Sequence, residues 1–174
     1  MRADDHFYQE INDLPKSLTH LIFSYYSNFN QPIGKISLSE SITHLTFGYK
    51  FNKPINDLPK FLTHLTFGYK FNQPINNLPK TLTHLTFGHC FNKEINNSPL
   101  SLVYLKFGKN FNQSINDLPS SLKYLILGFD FDKSLDNLPC SLKYLTVSCS
   151  FNQKINNFPK ELILRRRPYG IHDD

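Results

Sequence analysis

The sequence predicts a mainly β solenoid in which each turn of the coil supplies one short parallel strand, with little or no helix. The prediction rests on near-identical units, on apolar columns within them and on a recurring proline. Each unit opens on a Phe, and the spacings are 22, 22 and then 20 residues five times: Phe7, Phe29, Phe51, Phe71, Phe91, Phe111, Phe131 and Phe151. Self-similarity at such a period is typical of solenoid proteins.

The strand lies near the end of each unit. In the unit that opens at Phe71, Leu85, Thr86 and Phe87 alternate with the two-residue period of a strand. Together with Leu82 they match the opening of the leucine-rich-repeat pattern. We therefore expect a right-handed, leucine-rich-repeat-like coil with one short strand per 20- to 22-residue turn.

A proline column excludes helix from the rest of the coil. It comprises Pro15, Pro59, Pro79, Pro99, Pro119, Pro139 and Pro159. Proline pushes the preceding residue towards extended geometry, and the Asn residues of the motif INNLP add turn chemistry. The return path is therefore predicted to be extended or tightly turned. Two columns of Asn, one after the opening Phe and one before the Leu-Pro pair, are interpreted as structural ladders rather than as a sugar-binding site.

The predicted organisation is a single solenoid of eight units over residues 7–164, with an N-terminal lead over 1–6 and a basic, polar tail over 165–174. One coil cannot bury both of its faces, so the copies stabilise one another by stacking. At the 20-residue spacing Arg165 stands where the strand Leu belongs, which predicts a charged cap. The two longer units carry their extra residues in the segments IFSYYSNF and IGKISLSESI, where we expect loops.

Composition and charge limit the compartment and the partner. The net charge of +5 permits an acidic partner, but the lysines are scattered and the only basic cluster is Arg165 to Arg167, so nucleic acid is not the expected partner. Three cysteines without a CxxC motif, and a start without an apolar segment, indicate a reduced, intracellular, cytoplasmic protein. No apolar stretch is long enough for a membrane span.

The repeated phrases resemble a known family. FNQPI at 29–33 and 71–75 and FNKPI at 51–55, followed by LP and LTHLTFG, resemble the FNIP repeat, which is related to leucine-rich repeats. The resemblance implies a protein similar to those of amoebae and of the giant DNA viruses that infect them. Such proteins often carry an N-terminal F-box that recruits a ubiquitin ligase. Because the first unit begins at Phe7, we expect no F-box here and do not carry over the adaptor role.

The outward columns of the predicted strands form the candidate partner-binding face. The first column comprises His20, His44, His64, His84, Tyr104, Tyr124 and Tyr144. The second comprises Ile22, Thr46, Thr66, Thr86, Lys106, Ile126 and Thr146. A third column follows the strand glycine and varies most: Tyr25, Tyr49, Tyr69, His89, Lys109, Phe129 and Cys149. A variable column inside a copied repeat is where a binding surface could have been tuned.

No metal, cofactor or catalysis is expected at this face. Four parallel histidines give poor tetrahedral geometry, and no carboxylate or thiolate joins them. Adjacent imidazoles should instead resist simultaneous protonation, so acid should loosen this half of the sheet first. Cys90 lies beside His89 in sequence, but neighbouring residues of an extended segment point to opposite sides, which argues against a catalytic pair.

The favoured function is therefore a non-enzymatic protein-interaction module, of viral origin and directed at host proteins, acting in host cytoplasm or in the virion. One alternative is the binding of a polyanion, either nucleic acid or glycan, by the lysines and tyrosines of the second half of the face. That half comprises Tyr104, Lys106, Lys109, Lys123, Tyr124, Lys143 and Tyr144. Another is a structural protein, since exposed strand edges favour weak end-to-end self-association.

Overall fold

The computed structural model describes residues 2–3, 14–33 and 38–168, which form one nine-stranded parallel sheet. The strands are β1 (Arg2–Ala3), β2 (His20–Phe23), β3 (His44–Thr46), β4 (His64–Thr66), β5 (His84–Thr86), β6 (Tyr104–Lys106), β7 (Tyr124–Ile126), β8 (Tyr144–Ser148) and β9 (Ile163–Arg167). They lie side by side in chain order, and β2 to β9 fall one in each predicted unit. No helix occurs in the described ranges, and the predicted mainly β solenoid is confirmed.

The strands pair in register, so that equivalent residues of successive units are neighbours. Leu65 pairs with Leu85 across one turn of the coil. Across the longer second unit, Leu21 still pairs with Leu45, so the extra residues do not disturb the pairing. Along β3 to β6 a buried Leu alternates with partly exposed residues on either side. The period of the repeat therefore fixes both the register and the buried face.

Two columns of phenylalanine fill the core. Phe47, directly after β3, stacks on Phe51 of the next unit with ring centroids 3.9 Å apart, and Phe67 stacks on Phe71 in the same way. Phe51 also lies over Phe71, at 6.0 Å and with an interplanar angle of 2°. All four rings are at most 2% exposed. Each ring thus packs against a ring of the other Phe column and, like Phe51 on Phe71, against its equivalent in the next unit. The core therefore runs unbroken along the axis.

Hydrogen bonds between rungs hold the return path, which is turned and extended as predicted. After the proline, the backbone N–H of Leu82 donates to the carbonyl of Pro79 at 3.0 Å and closes a tight turn. The hydroxyl of Thr81 then reaches back one rung and donates to the carbonyls of Lys60 and Leu62, both at 2.8 Å. Polar groups of one rung are therefore satisfied by the next.

The asparagine that follows each opening Phe forms the expected ladder. The backbone N–H of Asn72 donates to Oδ1 of Asn52 at 2.9 Å, and Asn92 donates to Asn72 at the same distance. In the second Asn column, which lies in the exposed return turn, the amide of Asn156 donates to Oδ1 of Asp136 at 2.7 Å. The first column therefore satisfies partly buried backbone donors, whereas the second lies at the surface.

The C-terminal end corrects one prediction. Arg165 does not take the place of the strand Leu, because Leu145 pairs with Leu164 and Thr146 pairs with Arg165. The last coil is one residue shorter than the 20-residue spacing, which keeps an apolar side chain in the inward column. The predicted boundary between residues 164 and 165 consequently falls inside β9. Arg166 makes the capping contact, since Nη1 donates to the carbonyl of Phe151 at 2.6 Å.

The N-terminal lead supplies a strand that the sequence analysis did not predict. In β1, Arg2 pairs with Ile22 and Ala3 pairs with Phe23. The predicted solenoid start at Phe7 and the second insertion, around 34–37, lie outside the described residues.

The first insertion lies in the turn after β2, as predicted. Ser27 is fully buried there, and its N–H donates to the carbonyl of Ser24 at 2.9 Å. Its hydroxyl accepts the N–H of Phe29 at 3.2 Å. The insertion is therefore held by the bonds of Ser27 within the turn itself.

Successive rungs approach most closely at the glycine that follows each strand. A Cβ on Gly88 would overlap the carbonyl of Gly68, and a Cβ on Gly108 would overlap that of Gly88. In the seventh unit Ser148 takes this place, and β8 continues through it to pair with Arg167. Close backbone approach, rather than turn conformation, therefore requires the glycine.

Replacing this glycine should strongly destabilise the solenoid. We expect Gly88→Ala to lower the free energy of unfolding by about 3 kcal/mol, since the overlapping atoms belong to backbone that cannot move without separating two rungs. Urea unfolding followed by circular dichroism measures the change. The control is Thr86→Ala in the same strand, on the outward side. If Gly88→Ala lowered the free energy of unfolding no more than Thr86→Ala does, the backbone of neighbouring turns would have room for a Cβ at this place.

The return turn contains a second conformational requirement. Asp57, Asn77, Asn97 and Asn157 adopt left-handed backbone, with φ between 54° and 61°, whereas Asp117 in the same column does not. We expect Asn77→Ala to cost about 1 kcal/mol of stability, because a residue with a Cβ is strained there and Asn tolerates it best. Asp117→Ala should be near neutral, and equal losses in the two variants by urea unfolding would refute the conformational explanation.

Candidate functional site

A stack of imidazole rings forms the first half of the open face. The ring centroids of His20, His44, His64 and His84 lie 4.1, 4.1 and 4.2 Å apart along the column, with interplanar angles of 9° to 12°. The rings lie on successive strands β2 to β5 because the pairing is in register. Each ring covers the face of the next, so the column presents ring edges to a partner.

Tyrosines continue the same column over β6 to β8. Tyr104 stacks on His84 at 5.6 Å, and Tyr124 stacks on Tyr144 at 4.9 Å with an angle of 2°. Between these two pairs the stack loosens, since Tyr104 and Tyr124 are 6.3 Å apart and tilted by 39°. The predicted column is therefore one surface with a change of packing at β6 and β7.

A ladder of threonines fixes the tautomer of the imidazoles. The hydroxyl of Thr63 donates to the carbonyl of Thr43 in the rung before, at 3.0 Å. The same hydroxyl lies 2.9 Å from Nδ1 of His64, and having given its proton to the carbonyl it must accept from Nδ1–H. Thr83 and His84 repeat the arrangement. The neutral rings consequently carry the proton on Nδ1 and take up a second one at Nε2.

The stack resists that second proton. Burial lowers the pKa of His44, His64 and His84 below the ordinary value of 6.5. At His44 and His64 the charges of neighbouring imidazoles lower the pKa further, because protonated rings at this spacing repel one another. The imidazole column is therefore neutral over β3 to β5 near pH 7.

The second predicted column is exposed along most of the sheet. Thr46, Thr66, Thr86 and Lys106 are partly exposed, in line with the prediction. Thr146 is the exception, since it is only 7% exposed. In register it lies between Ile126 and Arg165, whose side chains are both larger.

The variable column forms a second aromatic stack. Tyr49 lies 4.7 Å from Tyr69, and Tyr69 lies 4.5 Å from His89. The column then changes to partly exposed Lys109 and Phe129. Burial lowers the pKa of His89, and the nearby Lys109 lowers it further against an opposing effect of Asp130.

Arg165 is a face residue that the sequence analysis missed. Pairing with Thr146 places it in the second column of the open face, where it is exposed. The signal was present in the sequence, because Leu164 follows Leu162 by two residues, whereas the corresponding leucines of the preceding unit, Leu142 and Leu145, are three residues apart. With the exposed Lys123 and Lys143, it makes this end of the face basic.

The face has no arrangement suited to metal or covalent chemistry among the residues that the structure describes. No group of three His, Cys, Asp or Glu residues in those ranges could hold a metal ion. Burial raises the pKa of the Cys90 thiol, against a smaller effect of Lys70, which disfavours the reactive thiolate. The ring of the adjacent His89 stacks on Tyr69. In the same ranges no helix is long and apolar enough to span a membrane.

Acid should destabilise the half of the sheet that carries the imidazole stack. The unfolded chain binds protons near pH 6.5 while the folded stack resists them, so stability is full above that pH and is lost as the pH falls through the lowered folded pKa values. We expect a lower urea midpoint at about pH 5 than at about pH 7.5. Amide hydrogen exchange should accelerate in β3 to β5 before β6 to β8.

A variant without the stacked imidazoles tests this explanation. Tyrosine is the replacement of choice for these histidines, because Tyr104 shows that it is native to the same column. The triple variant His44→Tyr, His64→Tyr, His84→Tyr should lose much of the pH dependence. His89→Tyr, outside the stack but with Tyr69 as its native precedent, should retain most of it. Equal acid sensitivity in the wild type and the triple variant would mean that other groups are responsible.

Comparison with known proteins places the chain in a family. The family model described as FNIP Repeat matches residues 29–57, 54–90, 91–130 and 111–150. No curated protein matches the chain. Among solved structures, the chain is similar to CroV588 from a giant virus, described as a novel circular LRR protein, with a TM-score of 0.71 and 41% identity. The similarity covers 88% of this chain but 27% of CroV588, so the chain spans roughly a quarter of that protein's length. Because the family matches extend over most of the solenoid, the chain belongs to the FNIP-repeat family.

Proposed function

We propose that the protein is a non-enzymatic protein-interaction module that binds a partner protein across its open strand face. Solenoid folds of this kind commonly act as scaffolds for protein interactions. The observation that carries the proposal is the continuity of the face. Its first column runs over β2 to β8 as stacked ring edges, with the partly exposed second column beside it.

The chemistry of the face suits the recognition of a protein. The stacked rings are held by their neighbours and by the threonine bonds, so ordering them on binding costs little entropy. Their edges offer hydrogen-bonding atoms, namely Nε2 of the imidazoles and the tyrosine hydroxyls. Preformed ring edges beside hydroxyls favour an extended surface over a single pocket.

The setting of this interaction is part of the proposal. Cys90, Cys140 and Cys149 carry free thiols, which is usual in a reducing compartment, so we infer that the protein acts in cytoplasm. The 41% identity with CroV588 supports a viral origin and hence a host protein as the partner. The raised pKa of the Cys90 thiol, and the lack of a metal-ligand cluster in the described ranges, leave catalysis without a motivating observation.

A face variant tests the proposal. We would capture partners from amoebal lysate on the immobilised protein, purify the captured protein and measure its affinity for the wild type and for a variant with His64, His84, Tyr104 and Tyr124 changed to Ser. The affinity should fall at least about tenfold, because central aromatic residues carry most of the energy of protein interfaces.

Phe61→Ser with Leu100→Ser is the matched control, because it removes two large exposed apolar side chains from the return path. Serine is native to both columns, at 121 and 120. A partner lost only in the control would place binding on the other side of the coil and overturn the proposal. Capture of salt-sensitive nucleic acid alone would favour the polyanion alternative, and concentration-dependent growth in sedimentation without an outside partner would favour self-assembly.

A further inference from the structure

Charge is segregated along the open face. Strands β2 to β5 contain no Asp, Glu, Lys or Arg. Strands β6 to β9 contain no acidic residue either, but β6 contributes Lys106 and β9 contributes Arg165, Arg166 and Arg167. The face is therefore neutral at one end and basic at the other.

Four cations define a basic stripe at that end: Lys106, Lys123, Lys143 and Arg165. Lys123 and Lys143 directly precede β7 and β8 and are neighbours on the ladder, since Lys143 N–H donates to the Lys123 carbonyl at 2.9 Å. Of the acidic residues in the same turns of the coil, Glu161 lines the same surface cavity as Lys143, and Asp130 lies near Lys109, where both affect the pKa of His89. Asp117 and Asp136 are in the return turns.

The two central lysines replace residues that stabilise the other half of the sheet. In the equivalent place, Thr63 and Thr83 each donate a hydroxyl hydrogen bond to the rung before. Lys123 and Lys143 forgo that bond and set two like charges on strands about 4.8 Å apart, which is unfavourable. A departure from the repeat that costs stability and exposes charge indicates selection for binding.

We propose that the basic stripe binds an acidic, extended segment of the partner protein. This inference rests on the proposed function and names the chemistry that the partner presents to one half of the same face. Bound carboxylates would relieve the repulsion between Lys123 and Lys143, and complementary charge would also speed association.

The dimensions suit a short extended segment. Strands β6 to β9 are separated by three gaps of about 4.8 Å each, or about 14 Å in all, which an extended chain spans with about four residues at 3.3 Å per residue. Alternate side chains of such a segment point to the same side. Lys106 and Arg165 are in the second column, whereas Lys123 and Lys143 are three residues earlier along their strands, about 10 Å away. Carboxylates on the two sides of the segment would therefore reach the two pairs of cations, while the neutral end of the face contacts the rest of the partner.

The tyrosines favour an acidic protein segment over nucleic acid. Binding of single-stranded nucleic acid depends on aromatic faces on which bases can stack. Tyr124 and Tyr144 instead cover one another, at 4.9 Å and with parallel planes. The phenolic edges between the cations can donate hydrogen bonds to carboxylates, which assists the binding of an acidic peptide.

The test uses a fluorescein-labelled peptide of six glutamates, a peptide of six glutamines and a twelve-nucleotide oligo-dT. We expect the glutamate peptide alone to bind the full chain at about 20 mM salt and to dissociate at about 300 mM, as an exposed electrostatic interaction should. The variant Lys123→Thr with Lys143→Thr should weaken binding at least about tenfold. It should also unfold at a higher urea concentration than the wild type, because threonine restores the hydroxyl bonds of this column.

Lys93→Gln with Lys133→Gln is the control, since it removes the same two charges from exposed positions where Gln73 and Gln113 show glutamine to be native. Its affinity should stay within about twofold of the wild type. A second binding variant, Lys106→Thr with Arg165→Thr, uses the residues native to the second column and keeps the test valid if the first variant folds poorly.

Three results would overturn the inference: no binding of the glutamate peptide by the wild type, equal loss in the control, or tighter binding of oligo-dT that is lost in the Lys123 and Lys143 variant. If the variant Lys123→Thr with Lys143→Thr were less stable than the wild type, the argument that these two lysines lower stability would fail. If the peptide fails while the purified partner still depends on His64 and Tyr104, the proposed function stands and only the acidic chemistry is wrong.

Discussion

In-register parallel pairing is the constraint on which the rest of this molecule depends. Because each strand lies about 4.8 Å from the next, every side chain has its own equivalent in the adjacent unit as its nearest neighbour. A residue type that is repeated along a column must therefore pack well against copies of itself. Phe satisfies this by stacking, Asn by accepting the N–H of the next Asn, and Gly by leaving room for a carbonyl.

This constraint explains how much could be predicted from sequence. Self-compatible columns have a clear signature, so the strands, the buried Leu and Phe positions and the first Asn ladder could be derived from the repeat alone. The failures occur where the period changes. Leu164 replaced Arg165 in the inward column because burial outweighs strict spacing. Hydrogen-bond direction at His64 and ring packing required coordinates.

Departures from a column are as informative as the column itself. Phe61 stands where Ser41 and Thr81 clamp the preceding rung, and it is 54% exposed. Lys123 and Lys143 stand where threonine bonds the rung before. Neither change improves packing. At Lys123 and Lys143 the lost bond is accompanied by exposed charge on the open face, which is the basis of the proposed basic stripe. Phe61 lies in the return path, outside that face, and its exposure has no such explanation.

The threonine ladder gives the imidazole stack a property beyond stability. Since the neutral rings of His44, His64 and His84 hold their proton on Nδ1, their added protons go to the same outward edge, and these sites interact along a single line. Of the three rings the two outer ones can be charged without a charged neighbour within the set, but the middle one cannot. Coupled sites of this kind titrate in macroscopic steps that belong to the set. The three rings should thus fill in two stages, with His64 taking up its proton last.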